Sequence, residues 1–160
     1  MPVFISHSTA DDALARGVYA QLDRRGISCY LDDLDRAAGA ARGTPAITGL
    51  ILERLERCTH LLAVVTNNTL RSWWVPFEVG VARRAPRVIS TYTNLGLSPL
   101  PEFLREWPVL TGPSAVDEFA QMYRSQPMHL TRDLREGVEF RAATDAVTSF
   151  HAVLKRRLGQ

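Results

Sequence analysis

Apolar and polar positions follow two different periods along this chain. Val3-Phe4-Ile5 is an unbroken apolar run that predicts a buried strand over 2–6, and it ends in the polar cluster Ser6-His7-Ser8-Thr9. Thr9-Ala10-Asp11-Asp12 has the form of a capping box, with acids at the positive end of a helix. Leu14, Val18 and Leu22, at i, i+4 and i+8, give that helix a buried stripe, and Arg24-Arg25-Gly26 suits its C-terminus. A second strand is predicted over 27–31. A loop rich in Asp, Ala and Gly follows over 32–43.

Thr44-Pro45 opens the next helix with Pro in the first turn, and Ile47, Ile51, Leu55 and Cys58 form its apolar stripe. The segment 60–66, His-Leu-Leu-Ala-Val-Val-Thr, is apolar without alternation, as expected at the centre of a parallel sheet, and Asn67-Asn68 ends it. A helix is predicted from about 72 to 84 and a strand over 88–92. Beyond these, 97–106 reads as loop with a short helical turn, 108–110 as an edge strand and 114–123 as a helix. An amphipathic helix over 144–158 turns Val147, Phe150 and Leu154 inward. Strands alternating with helices imply a mostly parallel sheet covered on both faces, with ligands collecting at the C-terminal strand edges. Those edges are 6–9, 32–43 and 67–78, so three informative segments converge on one rim.

Composition narrows the classes. A chain of 160 residues suggests one domain able to bury a core without staples. The 46% hydrophobic and 22% charged content is that of a soluble globular protein. No apolar run approaches the roughly 20 residues of a membrane span, and no leader-like N-terminus is visible, so no membrane partner and a cytoplasmic location are expected. Cys29 and Cys58 form no CxxC pair and read as reduced thiols, which fits a reducing compartment. A net charge of +2 gives no reason to expect nucleic acid. Eighteen arginines accompany one lysine, Lys155, an excess read more simply as codon bias than as phosphate binding. A lysine so near the C-terminus cannot serve a P-loop. His129 and His151 have no metal-ligand spacing with each other or with the cysteines, so no metal site is expected.

The segment carrying most chemistry is Ser72-Trp73-Trp74-Val75-Pro76-Phe77-Glu78. Trp74 and Glu78, at i and i+4, lie one above the other on a helix face. An indole beside one carboxylate can hold a planar cationic or oxocarbenium-like group. A helix start would also keep Glu78 ionised, although an acid there can simply stabilise its helix. Trp73 is expected to pack, and His60 to be structural. His7 is either a substrate contact or a turn residue. Asp32-Asp33 either binds ribose or caps its loop, Gly39 bends that loop, and Arg36 and Arg42 either meet phosphates or lie exposed.

Taken together these segments resemble the TIR (Toll/interleukin-1 receptor) family. Phe4-Ile5-Ser6-His7-Ser8 resembles its first box, and Tyr30-Leu31-Asp32-Asp33 with Gly39 resembles its second strand and BB loop. The stretch 51–66 resembles the following helix and central strand, and Ser72, Trp74 and Glu78 match its Ser-x-Trp-x-x-x-Glu signature. The resemblance covers residues 2 to about 92 and is nearest to small stand-alone bacterial members of Thoeris-type anti-phage systems. It implies one domain over 1–160, a flavodoxin-like three-layer α/β sandwich whose five-stranded parallel sheet is ordered 2-1-3-4-5, with helices on both faces and the C-terminal helix packed on it. It further implies cleavage of NAD+, as substrate and with no cofactor, at the nicotinamide–ribose bond. Glu78 would be catalytic, with Trp74, Ser6, His7, Ser8, Asp33, Gly39 and Arg42 around the substrate. The products implied are ADP-ribose or a cyclic isomer, the latter a signal for a downstream effector; a homo-oligomer is also implied. The chain departs from many members in having Val75-Pro76 where a Cys often follows the Trp, and Ser8-Thr9 where basic residues often stand.

Two other classes compete. A non-catalytic TIR adaptor would self-associate through its BB loop and use Glu78 only at a helix start. A phospho-receiver on the same fold needs an Asp ending its third strand and a later Lys, whereas this chain has Asn67 and no lysine before Lys155. A flavodoxin would need a phosphate-cradling loop after its first strand, which Ser6-His7-Ser8-Thr9 imitates only loosely.

Overall fold

The apolar runs become a parallel sheet. A computed structural model describes residues 2–31, 45–95, 100–125 and 140–160, with backbone alone at 45–47 and 70. Strands β1 (Val3–Ser6), β2 (Cys29–Leu31), β3 (His60–Val65), β4 (Val88–Thr93) and β5 (Val109–Thr111) pair in the order β2-β1-β3-β4-β5. The described helices are α1 (Asp12–Asp23), α2 (Pro45–Glu56), α3 (Trp74–Arg83), α4 (Pro113–Ser125) and α5 (Phe140–Arg157). This is the flavodoxin-like order that the resemblance implies. Among the described residues no helix is long and apolar enough to cross a membrane.

The alternation of side chains along each strand sorts the core into two layers. Val3, Ile5, Leu62 and Val64 meet α1, α4 and α5 on one face, through residues such as Leu22, Phe119, Phe150 and Leu154. Phe4, Leu61, Ala63 and Val65 meet α2 and α3 on the other, through Ile51, Leu55, Val75, Val79 and Ala82. Every position of β1 and β3 is therefore buried, which is why neither strand alternates with polar residues. His60, at the start of β3, is structural as expected. Its ring sits among Phe119, Tyr123 and Phe150, and its Nδ1 lies 2.8 Å from the Thr59 hydroxyl.

Several local expectations change. Gly26 ends α1 with φ +72 as expected, its N–H bonding the Asp23 carbonyl at 2.8 Å. Thr9–Asp11 is a separate 3-10 turn, α1 begins at Asp12, and neither Ser8 nor Asp11 caps with its side chain. Helix α3 starts two residues later than predicted, which leaves Trp73 at the N-cap and 91% exposed rather than packed. The loop expected over 32–43, with Asp33, Arg36, Gly39 and Arg42, lies outside the described residues.

Helix α5 completes the sheet as well as covering it. β5 pairs with β4 only from Thr91 onward, so it does not reach the Ile89 N–H. His151 on α5 accepts that N–H through Nε2 at 3.0 Å. Farther along the edge, the Gln160 side-chain amide accepts from the Val109 N–H at 3.0 Å and donates to the Val109 carbonyl, standing in for a sixth strand. Burial, with the Lys155 charge nearby, holds His151 down at about 4.

The unfolded chain titrates this imidazole near 6.5, so the neutral ring contributes stability fully above that pH and loses it as pH falls toward 4. At about 1.4 kcal/mol per pH unit the contribution is on the order of 3 kcal/mol. Urea denaturation between pH 7.5 and 4.5 should show this acid loss, and His151→Gln, which keeps an acceptor without a titrating group, should flatten it.

Candidate functional site

Two buried carboxylates organise the rim. Ser6 closes β1, and its hydroxyl donates to Glu78 Oε2 from α3, across 72 residues of sequence. Both residues are 0% exposed. Glu78 lies in the second turn of α3, whose first turn holds no acid. The helix dipole acts mainly over the first turn, and the Ser6 hydroxyl is a donor brought to this carboxylate from the end of a strand. Trp74, the first residue of α3 and half-buried, shares the Glu78 face and meets Phe77 edge-to-face at 5.9 Å.

Asp11 is the second carboxylate. It accepts from the Thr66 hydroxyl at 2.7 Å and from the Asn68 amide at 2.8 Å. Those residues are themselves tied locally, since the Asn68 N–H bonds Thr66 Oγ1 and the Thr66 N–H bonds Thr69 Oγ1, each at 3.0 Å. Asp11 thus pins the segment after β1 to the segment after β3, the two that carry Ser6 and Glu78. Sequence reasoning missed this role by reading Asp11 only as an acid at the positive end of a helix. The available signal was the polar run Thr66-Asn67-Asn68-Thr69, which follows the most apolar strand and needs a buried partner.

His7 is buried, with Nε2 3.5 Å from Asp12 Oδ1, and Asp12 Oδ2 accepts from Arg16 Nε at 3.0 Å. His7 Nδ1 has no hydrogen-bond partner among the described residues. Ser8 is half-buried in the turn that follows, and its carbonyl accepts the Asp11 N–H at 2.7 Å. The rim therefore brings Ser6 onto Glu78 and sets Trp74 above it. His7 and Ser8 continue from the same strand end, and Asp33, Gly39 and Arg42 lie outside the described residues.

Other chemistries find little support. Cys29 and Cys58 are free thiols, each pushed up to about 12 chiefly by burial, so neither supplies a thiolate nucleophile near neutral pH. Among the described residues no three His, Cys, Asp or Glu side chains gather as a metal site would require.

Replacing Asp11 by Ala strands the buried Thr66 hydroxyl while the exposed Asn68 amide can turn to water, and should cost about 1–3 kcal/mol in urea denaturation. Thr66→Val takes a donor from the buried Asp11 carboxylate and the acceptor from the Asn68 N–H, and should also destabilise, by at least about 1 kcal/mol.

A profile of the family described as TIR domain matches residues 3–123. Two curated bacterial proteins are similar to part of the chain. One, from Bacillus cereus (strain MSX-D12), carries the name "Probable 3' cyclic ADP-D-ribose synthase ThsB'" and is 28% identical over 79 residues, 49% of this chain and 41% of that protein. The other, from Cytobacillus dafuensis, carries the name "Putative cyclic ADP-D-ribose synthase TIR2" and is 29% identical over 89 residues, 54% of this chain and 24% of its own length. The chain thus spans less than half the length of these curated relatives. Among solved structures, the TIR domains of the activated Roq1 resistosome, which recognises the pathogen effector XopQ, are 18% identical. That match covers 92% of this chain and 83% of theirs, with a TM-score of 0.45.

Proposed function

The chain belongs to the TIR domain family, and from that premise we propose that it cleaves NAD+ between nicotinamide and ribose, with Glu78 as the catalytic residue. The observation that carries this reading is the direction of the Glu78 carboxylate, turned to the end of β1 and bonded by Ser6 instead of pointing into solvent.

The chemistry suits a single acid. Cleaving an O-glycoside usually takes two carboxylates, one of them to protonate the leaving oxygen. Nicotinamide departs from a cationic pyridinium as a neutral molecule, so no proton donor is needed. One carboxylate can then hydrogen-bond the ribose hydroxyls and stabilise the positive charge that develops on the sugar. Its shielding from water strengthens that interaction. In this reading Ser6 fixes which carboxylate oxygen is presented, Trp74 offers its face to the nicotinamide or ribose, and the Asp11 network holds the two segments in register. Water reaching the sugar cation yields ADP-ribose, and attack by another group of the same substrate yields a cyclic isomer, with water exclusion deciding between them. The similarity to proteins named as cyclic ADP-D-ribose synthases favours the cyclic product, a nucleotide signal for a downstream effector in anti-phage defence.

A non-catalytic adaptor is the second reading. It draws on the complete burial of Glu78, which a structural carboxylate would share, and on the exposure of Trp73 beside Phe77, an apolar patch suited to self-association.

Incubation with NAD+ and measurement of free nicotinamide separates the two. Glu78→Gln keeps the volume and one acceptor, and should lower release by about 10²–10³ with thermal unfolding little changed. Ser6→Ala should lower kcat more than it raises KM. Undiminished release from Glu78→Gln rejects the assignment. Trp73→Ala should weaken self-association, as read by sedimentation, under either reading.

A further inference from the structure

We propose that the groove between the C-terminal end of α3 and helix α5 is a second ligand site, taking a nucleotide through its phosphates and its base. Its floor includes Ile89 near the start of β4, so it lies at the N-terminal edge of the parallel sheet, opposite the rim that holds Ser6 and Glu78. Its volume, about 620 Å³, falls within the range of small-molecule sites.

The wall carries donors that the fold has positioned without exhausting. Arg87 spends Nε on the Cys58 carbonyl at 3.1 Å, which orients its guanidinium and leaves the four N–H groups of its two terminal nitrogens. Lys155 is fixed by the carbonyls of Arg105 and Glu106 at 2.9 and 3.3 Å, which leaves one of its three donors. His151 accepts the Ile89 N–H at Nε2, so its neutral ring carries the proton at Nδ1 as one more donor. Among the described residues Glu106 is the only acid lining the groove, and it already pairs with Arg83, whose guanidinium lies 5.7 Å over the Trp107 ring. Glu56 acts on Arg87 from the end of α2 and does not line the groove. Two oriented cations and an imidazole thus line one groove in which, among the described residues, the one carboxylate is already paired.

Electrostatics agree with this geometry. Burial lowers the Arg87 pKa, and His151 is lowered by burial and by the Lys155 charge. A bound anion offsets the cost of burying the Arg87 charge. An inorganic anion alone would use only part of the groove, because Val147 and Trp107 form an apolar wall and Phe140, 64% exposed, presents a ring. Phosphates beside a flat base fit that division. The choice of ADP-ribose as the nucleotide rests on the reading of the rim, but the existence of the groove site does not.

The chain's three tryptophans allow the two sites to be read separately, since Trp107 lines the groove and Trp73 and Trp74 stand at the rim. Indole N–H signals of the 15N-labelled full chain should be followed while ADP-ribose is added. The Trp107 signal should shift and saturate, and Lys155→Met and Phe140→Ala should each weaken that response about tenfold while leaving any Trp74 response in place. A Trp107 signal that stays still overturns the proposal, as does one that titrates identically in wild type and both variants. Pyrophosphate matching ADP-ribose in affinity overturns the nucleotide assignment. A silent Trp74 with no nicotinamide release counts against the rim chemistry alone, because the Trp107 titration stands independently.

Discussion

On the proposed reading, the chemistry of this rim depends on a strand-end hydroxyl donating to a carboxylate from the second turn of a helix. Taking an ionised carboxylate out of water is costly unless donors replace the lost solvent, and removing the donor from such a pair is worse than never having formed it. Ser6 and Glu78 are brought together by the core and not by a flexible loop. β1 is held between β2 and β3, and α3 is held against the sheet through Val75, Val79 and Ala82. Asp11 then takes up the slack between those two rigid parts, bonding Thr66 and Asn68 in the segment that leads into α3. The rim is therefore positioned before any substrate arrives, which is the condition for electrostatic catalysis.

Features set by the sheet's own periodicity were legible in the sequence. Continuous apolar runs at β1 and β3 reported burial on both faces, the spacing of Val147, Phe150 and Leu154 placed α5, and Gly26 marked the end of α1. The convergence of the strand ends also brought Ser6 and Glu78 to one edge of the sheet. What escaped depended on partners distant in sequence. A carboxylate at the start of a helix has a local use, so Asp11 looked like a helix-start acid until Thr66, 55 residues away, claimed it. Trp73 and Trp74 are adjacent and chemically identical, and only the exact start of α3 decides which of them faces outward. His151 looked idle because its task is created by β5, which is too short to reach Ile89.

Helix α3 links the two ends of the molecule. Trp74 and Arg83 stand nine residues apart, or about 14 Å along the axis. The same helix therefore presents its first two turns to the rim and its last to the groove. Val75, Val79 and Ala82 pack it against the sheet as one row. A ligand at the lower end could influence the rim only if it favoured one tilt over another. The first contact to register such a tilt is the Ser6–Glu78 pair, which joins α3 to the neighbouring strand.

The burial of Glu78 also bears on which function the rim serves. A domain that only assembles with its copies gains nothing from an ionisable group here. A glutamine could accept the Ser6 hydroxyl without the charge, and a leucine paired with alanine at position 6 could fill the same space with no polar atoms, a kind of exchange that often leaves stability unchanged or improves it. A water-shielded carboxylate is useful when a positive charge develops beside it, and a ribosyl group losing neutral nicotinamide develops such a charge. The low-dielectric seat that makes Glu78 expensive to bury also makes its interaction with that cation stronger than water would allow. On the proposed reading, cost and function follow from the same property of the site.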